Sequence, residues 1–153
     1  MKIERVMKEG FSVIGKEGST TAGEGFVARL WQEANGNFSQ VAHLAKKDED
    51  GMLVGIWGAM SDFSHQFMPW EHDFSEGLYL AGIECCEDAD APEGWTKWNV
   101  PGFEYLRVQA QEGVFLEMLD EIQRQGLSLT GAVQDFTDPQ TGINYMYFPI
   151  RRI

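Results

Sequence analysis

The most constraining feature of this sequence is a pattern of apolar residues that occurs twice. Residues 21–35 and 112–125 each contain apolar side chains at positions i, i+1, i+4, i+5 and i+8. This spacing places the apolar side chains on one face of an α-helix. Thr21 and Glu24 have the spacing of a capping box before the first helix, and Gly126 is suited to ending the second. We therefore predict two amphipathic helices with the same pattern.

Strand-like segments accompany the two helices in the same order. One Gly-Phe segment precedes each helix, and two further segments follow each helix. In the first half these segments are 10–15, 53–58 and 78–83, and in the second half they are 102–108, 129–134 and 145–150. The order β-α-β-β thus occurs twice.

The repeat predicts an α+β fold with pseudo-twofold symmetry, in which two helices cover one face of an antiparallel sheet. A chain of 153 residues has the length of one domain. We therefore expect a single domain over 1–153 with half-repeats at approximately 1–86 and 98–153. The acidic, turn-rich residues 86–99 are interpreted as the link between the halves.

Aromatic residues are numerous on or beside the predicted strands. They are Trp57, Tyr79, Trp95, Trp98, Tyr145 and Tyr147. Since the helices cover only one face of the sheet, we expect the other face to form a groove in which these rings meet a ligand. The segment 62–73 contains more large apolar residues than a solvated loop needs, and we expect it to lie across the groove.

The charge balance excludes some classes of partner. With 12 basic and 24 acidic residues, the net charge of −12 repels nucleic acid and anionic membrane surfaces and attracts organic cations. Cys85 and Cys86 are adjacent, so we expect free thiols, which suit a reducing cytoplasm. No stretch of apolar residues is long enough to span a bilayer. We predict a cytoplasmic protein with no metal site and no cofactor.

Several short motifs, in this order and spacing, resemble the GyrI-like small-molecule-binding domain over almost the whole chain. They are Gly55-Ile56-Trp57-Gly58, Tyr79-Leu80-Ala81-Gly82-Ile83-Glu84, Pro92-x-Gly94-Trp95, Val100-Pro101-Gly102 and Tyr147-Phe148-Pro149-Ile150. This domain is the effector-binding half of multidrug-sensing transcription regulators of the AraC and MerR types, and it also occurs alone. No stretch of the 153 residues is left for a helix-turn-helix, which favours the stand-alone form.

The resemblance implies a groove on the pseudo-twofold axis that binds bulky, aromatic, often cationic compounds beside an acidic residue. That acidic residue is a glutamate of the penultimate strand, two positions before an aromatic residue. Here the matching residues are Gln134, Asp135 and Phe136, so a glutamine stands at the position of the glutamate. We expect Glu84 to replace it. Asp135 is the second choice, because the period of a strand points it to the opposite face from Gln134.

A carboxylate among aromatic rings is partly desolvated, and a bound cation would restore its charged form. The first interpretation is therefore a binding module for hydrophobic aromatic or cationic small molecules, used in sequestration or sensing of drugs and xenobiotics. The predicted ligand-binding residues are Trp57, Trp70, Tyr79, Glu84, Trp98, Gln134 and Tyr147.

Two alternative functions remain open at this stage. Some stand-alone members of the family are hydrolases that open cyclopropane rings, and in that case Glu84 would be the catalytic base. One member is thought to inhibit DNA gyrase by surface contact, which would give the acidic surface more weight than the groove. The sequence also leaves a homodimer open.

Overall fold

The computed structural model describes residues 1–153 and contains one antiparallel sheet of eight strands with three helices. The α+β architecture expected from the sequence is thus confirmed. The strands are β1 (Ile3–Lys8), β2 (Phe11–Ser19), β3 (Ile56–Ser61), β4 (Leu78–Cys85), β5 (Thr96–Val100), β6 (Phe103–Gln109), β7 (Gln134–Thr137) and β8 (Asn144–Arg152). The helices are α1 (Phe26–Gly36), α2 (Glu71–Phe74) and α3 (Val114–Arg124).

The strand order forces the sheet to curl. The order is β1-β6-β8-β7-β3-β4-β2-β5, so β1 and β2 lie six positions apart, as do β5 and β6. In a flat sheet six positions correspond to about 29 Å. Each of these pairs is nevertheless joined by only two residues, at 9–10 and 101–102, which can span only about 11 Å. The two ends of the sheet must therefore approach each other.

The curl closes the sheet face that points away from the helices, here called the inner face. An ion pair crosses this face: Lys8 Nζ of β1 lies 3.3 Å from Glu84 Oε2 of β4. The inner face carries the largest cluster of buried hydrophobic residues, which joins Trp98 of β5 to Phe103 and Tyr105 of β6.

We expected a ligand groove on this face, and the structure differs from that expectation. Trp57 is 2% exposed. Its ring lies 4.7 Å from the rings of Phe11 and Phe136 and 5.1 Å from that of Tyr147, measured between centroids. Three of the aromatic residues that we assigned to a groove, Trp57, Trp98 and Tyr147, are thus buried in the packing of the inner face, because the curl brings them together.

The opposite face, here called the outer face, is covered by the two longer helices. α1 packs on β2 and β4. The buried residues Val114, Met118 and Ile122 of α3 belong to one cluster with Leu106 of β6 and Phe148 of β8. No helix has both the length and the apolar character that crossing a membrane requires.

The first helix begins later than its sequence pattern predicts. α1 starts at Phe26, after Gly25 in a left-handed conformation, and no side chain caps it. The capping box of Thr21 and Glu24 was therefore a wrong prediction. The second long helix, α3, also follows a glycine in the left-handed conformation, Gly113. A left-handed glycine directs the chain into both helices.

Two strands were missed because they are short and polar. No strand was predicted over β1, and β5 overlaps the segment 86–99 that was interpreted as a link. The strand predicted at 129–134 begins only at Gln134, where pairing with Tyr147 starts. Cys85 is buried, Cys86 is exposed, and both are free thiols, as expected.

The contact between Lys8 and Glu84 gives a stability prediction. Glu84 is 2% exposed and accepts a hydrogen bond of 2.9 Å from Trp57 Nε1. Lys8→Met removes the only cation paired with Glu84 and should lower the free energy of unfolding by about 1–3 kcal/mol in urea titrations.

The double variant Lys8→Met, Glu84→Gln is the control. A glutamine oxygen still accepts the hydrogen bond of Trp57 but leaves no buried charge, so most of the lost stability should return. Equal stability of the single and double variants would contradict this account of the inner face.

Candidate functional site

Two adjacent cavities lie on the outer face between α1 and α3. One has a volume of about 260 Å³ and the other about 280 Å³, and each is near the lower limit of ligand pockets. Asp135 and Met146 line both cavities. We call the two together the outer groove. On the α3 side it is also lined by Met60, Pro69, Trp70, Phe74 and Phe115, and on the α1 side by Trp31, Gly58, Tyr79 and Tyr145.

Asp135 is the charged residue of the outer groove. It lies in β7 opposite Gly58 of β3 and Met146 of β8, near the middle of the sheet. Its carboxylate has no hydrogen-bond or ion-pair partner in the protein, and it is half-buried between apolar walls. Burial raises the pKa of Asp135 from 3.8 to about 6, because the charged form loses solvation. The groove thus contains a carboxylate without a counter-ion.

Tyr79 and Trp31 form the aromatic wall on the α1 side. Trp31 Nε1 donates a hydrogen bond of 3.0 Å to the phenol oxygen of Tyr79. The pKa of Tyr79 is raised first by burial and then by the negative charge of Asp135. Gly58 makes this arrangement possible, because a Cβ at that position would overlap the phenol oxygen. The missing side chain leaves room for the phenol beside Asp135.

The segment before β4 forms the opposite wall. Trp70 Nε1 donates a hydrogen bond of 2.9 Å to the carbonyl oxygen of Leu78, and the Phe74 ring packs 5.3 Å from that of Phe115 on α3. Phe74 lies in a left-handed conformation with φ of 63°, as do His72 and Asp73 before it. Non-glycine residues seldom adopt this conformation, since it costs of order 1 kcal/mol or more. The hydrogen bond of Trp70 and the ring contact of Phe74 hold this strained segment beside the groove.

The structure divides the predicted ligand-binding residues between the two faces of the sheet. Trp70 and Tyr79 line the outer groove. The remaining five lie on the inner face or within the packing around it: Trp57, Glu84, Trp98, Gln134 and Tyr147.

Polar contacts within the protein occupy several of these inner residues. Trp98 Nε1 donates to Glu17 Oε1 at 2.5 Å. The side chain of Gln134 accepts from the backbone N–H of Met60 at 2.8 Å and donates to the Met60 and Ala132 carbonyl oxygens, each at 3.1 Å. Gln134 thus connects β7 to β3, and Asp135, the second choice for the carboxylate, is the one that faces the outer groove.

Sequence reasoning missed the walls that the helices contribute. Trp31 and Phe115 belong to the apolar stripes of the two helices that we predicted to cover one face of the sheet. Trp31 is at position i+5 of its stripe and Phe115 at position i+1, on the same side of the stripe centre, and a large aromatic residue on that side was the available signal. The structure contains no group of three or more His, Cys, Asp or Glu residues able to hold a metal ion.

Comparison with solved structures identifies the fold. The C-terminal domain of EcmrR matches with a TM-score of 0.65 and 8% sequence identity, covering 99% of this chain and 98% of that one. SAV2435, solved with bound tetraphenylphosphonium, matches with a TM-score of 0.59 and 17% identity, covering 99% and 94%.

These likenesses confirm the fold implied by the resemblance. The EcmrR chain in its complex with DNA also matches, with a TM-score of 0.65 and 7% identity. This match covers 99% of the present chain but only 58% of the EcmrR chain. No family model matches this chain, and no curated protein matches it.

Replacement of Asp135 should change how stability depends on pH. Because its folded-state pKa lies above its unfolded value, its contribution to stability is present below pH 3.8 and is lost as pH rises through about 6. Asp135→Asn should therefore be more stable than the wild type above pH 7, by up to about 3 kcal/mol.

Thermal unfolding at pH 4 to 8 measures this difference, which should shrink toward zero at pH 4. Asp88→Asn is the matched control, because Asp88 is exposed and lines none of the cavities described here. An Asp135→Asn profile parallel to that of the wild type would contradict a raised pKa.

Proposed function

We propose that the chain is a binding module for hydrophobic organic cations with aromatic groups, which it sequesters or senses in the outer groove. The observation that carries the proposal is Asp135, a carboxylate without a protein partner between aromatic and apolar walls. A bound cation would supply the missing charge, and its apolar groups would contact the walls.

The chemistry of the walls supports a cation with bulky apolar groups. Rings and methionines border the carboxylate on both sides, and each ring that faces a cation contributes about 0.5–2 kcal/mol. The phenol of Tyr79 accepts the Trp31 hydrogen bond, so its own O–H is available to donate. The net charge of −12 would further raise the local concentration of cations.

The likeness to SAV2435 agrees with this proposal, since that protein was solved with tetraphenylphosphonium, a phenyl-bearing cation. Glu84 serves the proposal less well than Asp135. Its carboxylate is already paired with Lys8 and hydrogen-bonded to Trp57. A ligand cation there would have to displace a cation that belongs to the protein.

A pair of probes of matched shape and opposite charge tests the proposal. Tetraphenylphosphonium and tetraphenylborate should be titrated into the wild type and Asp135→Asn, by calorimetry and tryptophan fluorescence. The wild type should prefer the cation. Asp135→Asn should weaken binding of the cation about tenfold, equivalent to about 1.4 kcal/mol, and should not weaken binding of the anion.

Asp88→Asn removes the same unit of charge outside the groove and should retain the wild-type preference. If Asp135→Asn and Asp88→Asn lower cation affinity equally, the net charge of the protein alone attracts the cation, and the outer groove is not its binding site. Absence of phosphonium binding to the wild type would count against the proposed ligand class.

The pKa of Asp135 also predicts that binding depends on pH. The ligand cation favours the ionised carboxylate, so tetraphenylphosphonium affinity should rise as pH increases from 5 to 7 and then level off. Asp135→Asn should remove this rise, which calorimetry at several pH values measures. A wild-type affinity that is constant over this range would show that Asp135 does not contact the cation.

A further inference from the structure

Helix α1 leaves unfilled space between itself and the sheet. It buries a single residue, Ala34, whereas α3 of the same length buries Val114, Met118 and Ile122. A cleft of about 170 Å³ lies beneath the C-terminal half of α1. We call it the α1 cleft, and its principal walls are Trp31, Phe38, Val41, Leu53, Ile83 and Trp95.

The walls of the α1 cleft are apolar. Both indole N–H groups bond to other residues: Trp31 Nε1 donates to the Tyr79 phenol at 3.0 Å, and Trp95 Nε1 donates to Gln40 Oε1 at 2.8 Å. Asn35 is the one polar side chain among the lining residues, and no charged residue lines the cleft. Burying a charged group there would cost solvation that nothing in the walls restores.

We propose that the α1 cleft is a second binding site, for a small neutral aromatic molecule about the size of benzene. An apolar protein cavity of roughly 150 Å³ accommodates benzene. The neutral walls exclude the organic cation assigned to the outer groove, so the two sites take different chemical classes.

Trp31 connects the two sites. Its side chain lines both the α1 cleft and the outer groove, and its indole N–H bonds to Tyr79 beside Asp135. A molecule in the α1 cleft restricts the indole and therefore the position of the phenol. Benzene should therefore change the affinity of the outer groove for a cation, and by reciprocity the cation should change the affinity for benzene by the same factor. This coupling step rests on the proposed function, whereas binding in the α1 cleft does not.

The five tryptophans provide a local readout of the second site. Benzene should be titrated into ¹⁵N-labelled protein while the indole N–H signals, assigned with Trp→Phe variants, are recorded by NMR. The signals of Trp31 and Trp95 should shift in a saturable way. The signals of Trp57 and Trp98, which lie on the inner face, should stay in place.

Cavity-filling variants test the location of benzene. Ala34→Leu should fill the α1 cleft and abolish the saturable shifts. If that variant does not fold, Leu53→Phe fills the cleft from another wall. Ala28→Leu is the matched control, because Ala28 is exposed on the same helix. Shifts that persist in both filling variants, shifts of equal size for all five indoles, or no shifts in the wild type would each overturn the proposal.

The coupling is measured as tetraphenylphosphonium affinity with and without saturating benzene. We expect a change of about fivefold in the wild type and none in Trp31→Phe, which loses the N–H bond to Tyr79 but in which the Trp95 signal should still report benzene binding. Saturable shifts without any change in affinity would disprove the coupling but leave the second site. If the phosphonium does not bind the wild type, the proposed function fails, and the benzene shifts still decide the second site independently.

Discussion

Two short connections determine how the sheet of this fold curls. Strands at opposite ends of the sheet are joined through residues 9–10 and 101–102, so the sheet has to curl until its ends approach. The inner face then closes on its own side chains, with Trp57 packed against three other aromatic rings. On the convex side, cavities remain between the helices, which cover the two halves of the sheet but not its middle. The location of the outer groove is thus a consequence of chain connectivity.

At the middle of the sheet, strand alternation decides which chemistry reaches the groove. Adjacent residues of β7 face opposite sides: Gln134 contacts the backbone of neighbouring chain segments, and Asp135 faces the groove. A shift of one residue in this short strand would exchange them. The three hydrogen bonds of the Gln134 amide fix β7 against Met60 and Ala132, and they therefore hold the carboxylate of its neighbour on the outer face.

Local patterns predicted the two long helices, most strands and the α+β class, because amphipathic periodicity depends on residues near one another in sequence. The curl could not be predicted in that way. It depends on β1 and β5, whose short polar sequences carry little strand signal, and on their pairing with distant strands. Without those pairs, the aromatic residues of the uncovered face suggested an open groove. Tyr79 and Trp70, predicted from their residue type, line the outer groove. Trp31 and Phe115 also line it but were not predicted, because a helical stripe does not reveal which side of the helix lies over a gap.

The two carboxylates considered for ligand binding differ in how the fold treats their charge. Glu84 is more deeply buried, and its charge is met by Lys8 and by the indole N–H of Trp57, so it connects the ends of the curled sheet. Asp135 is less buried but has neither partner, and burial raises its pKa because the charged form loses solvation. A buried charge that the fold neutralises contributes to the inner packing, whereas one left without a counter-ion at a cavity lowers stability until a cation binds. By this argument the less buried carboxylate is the better candidate for a ligand contact.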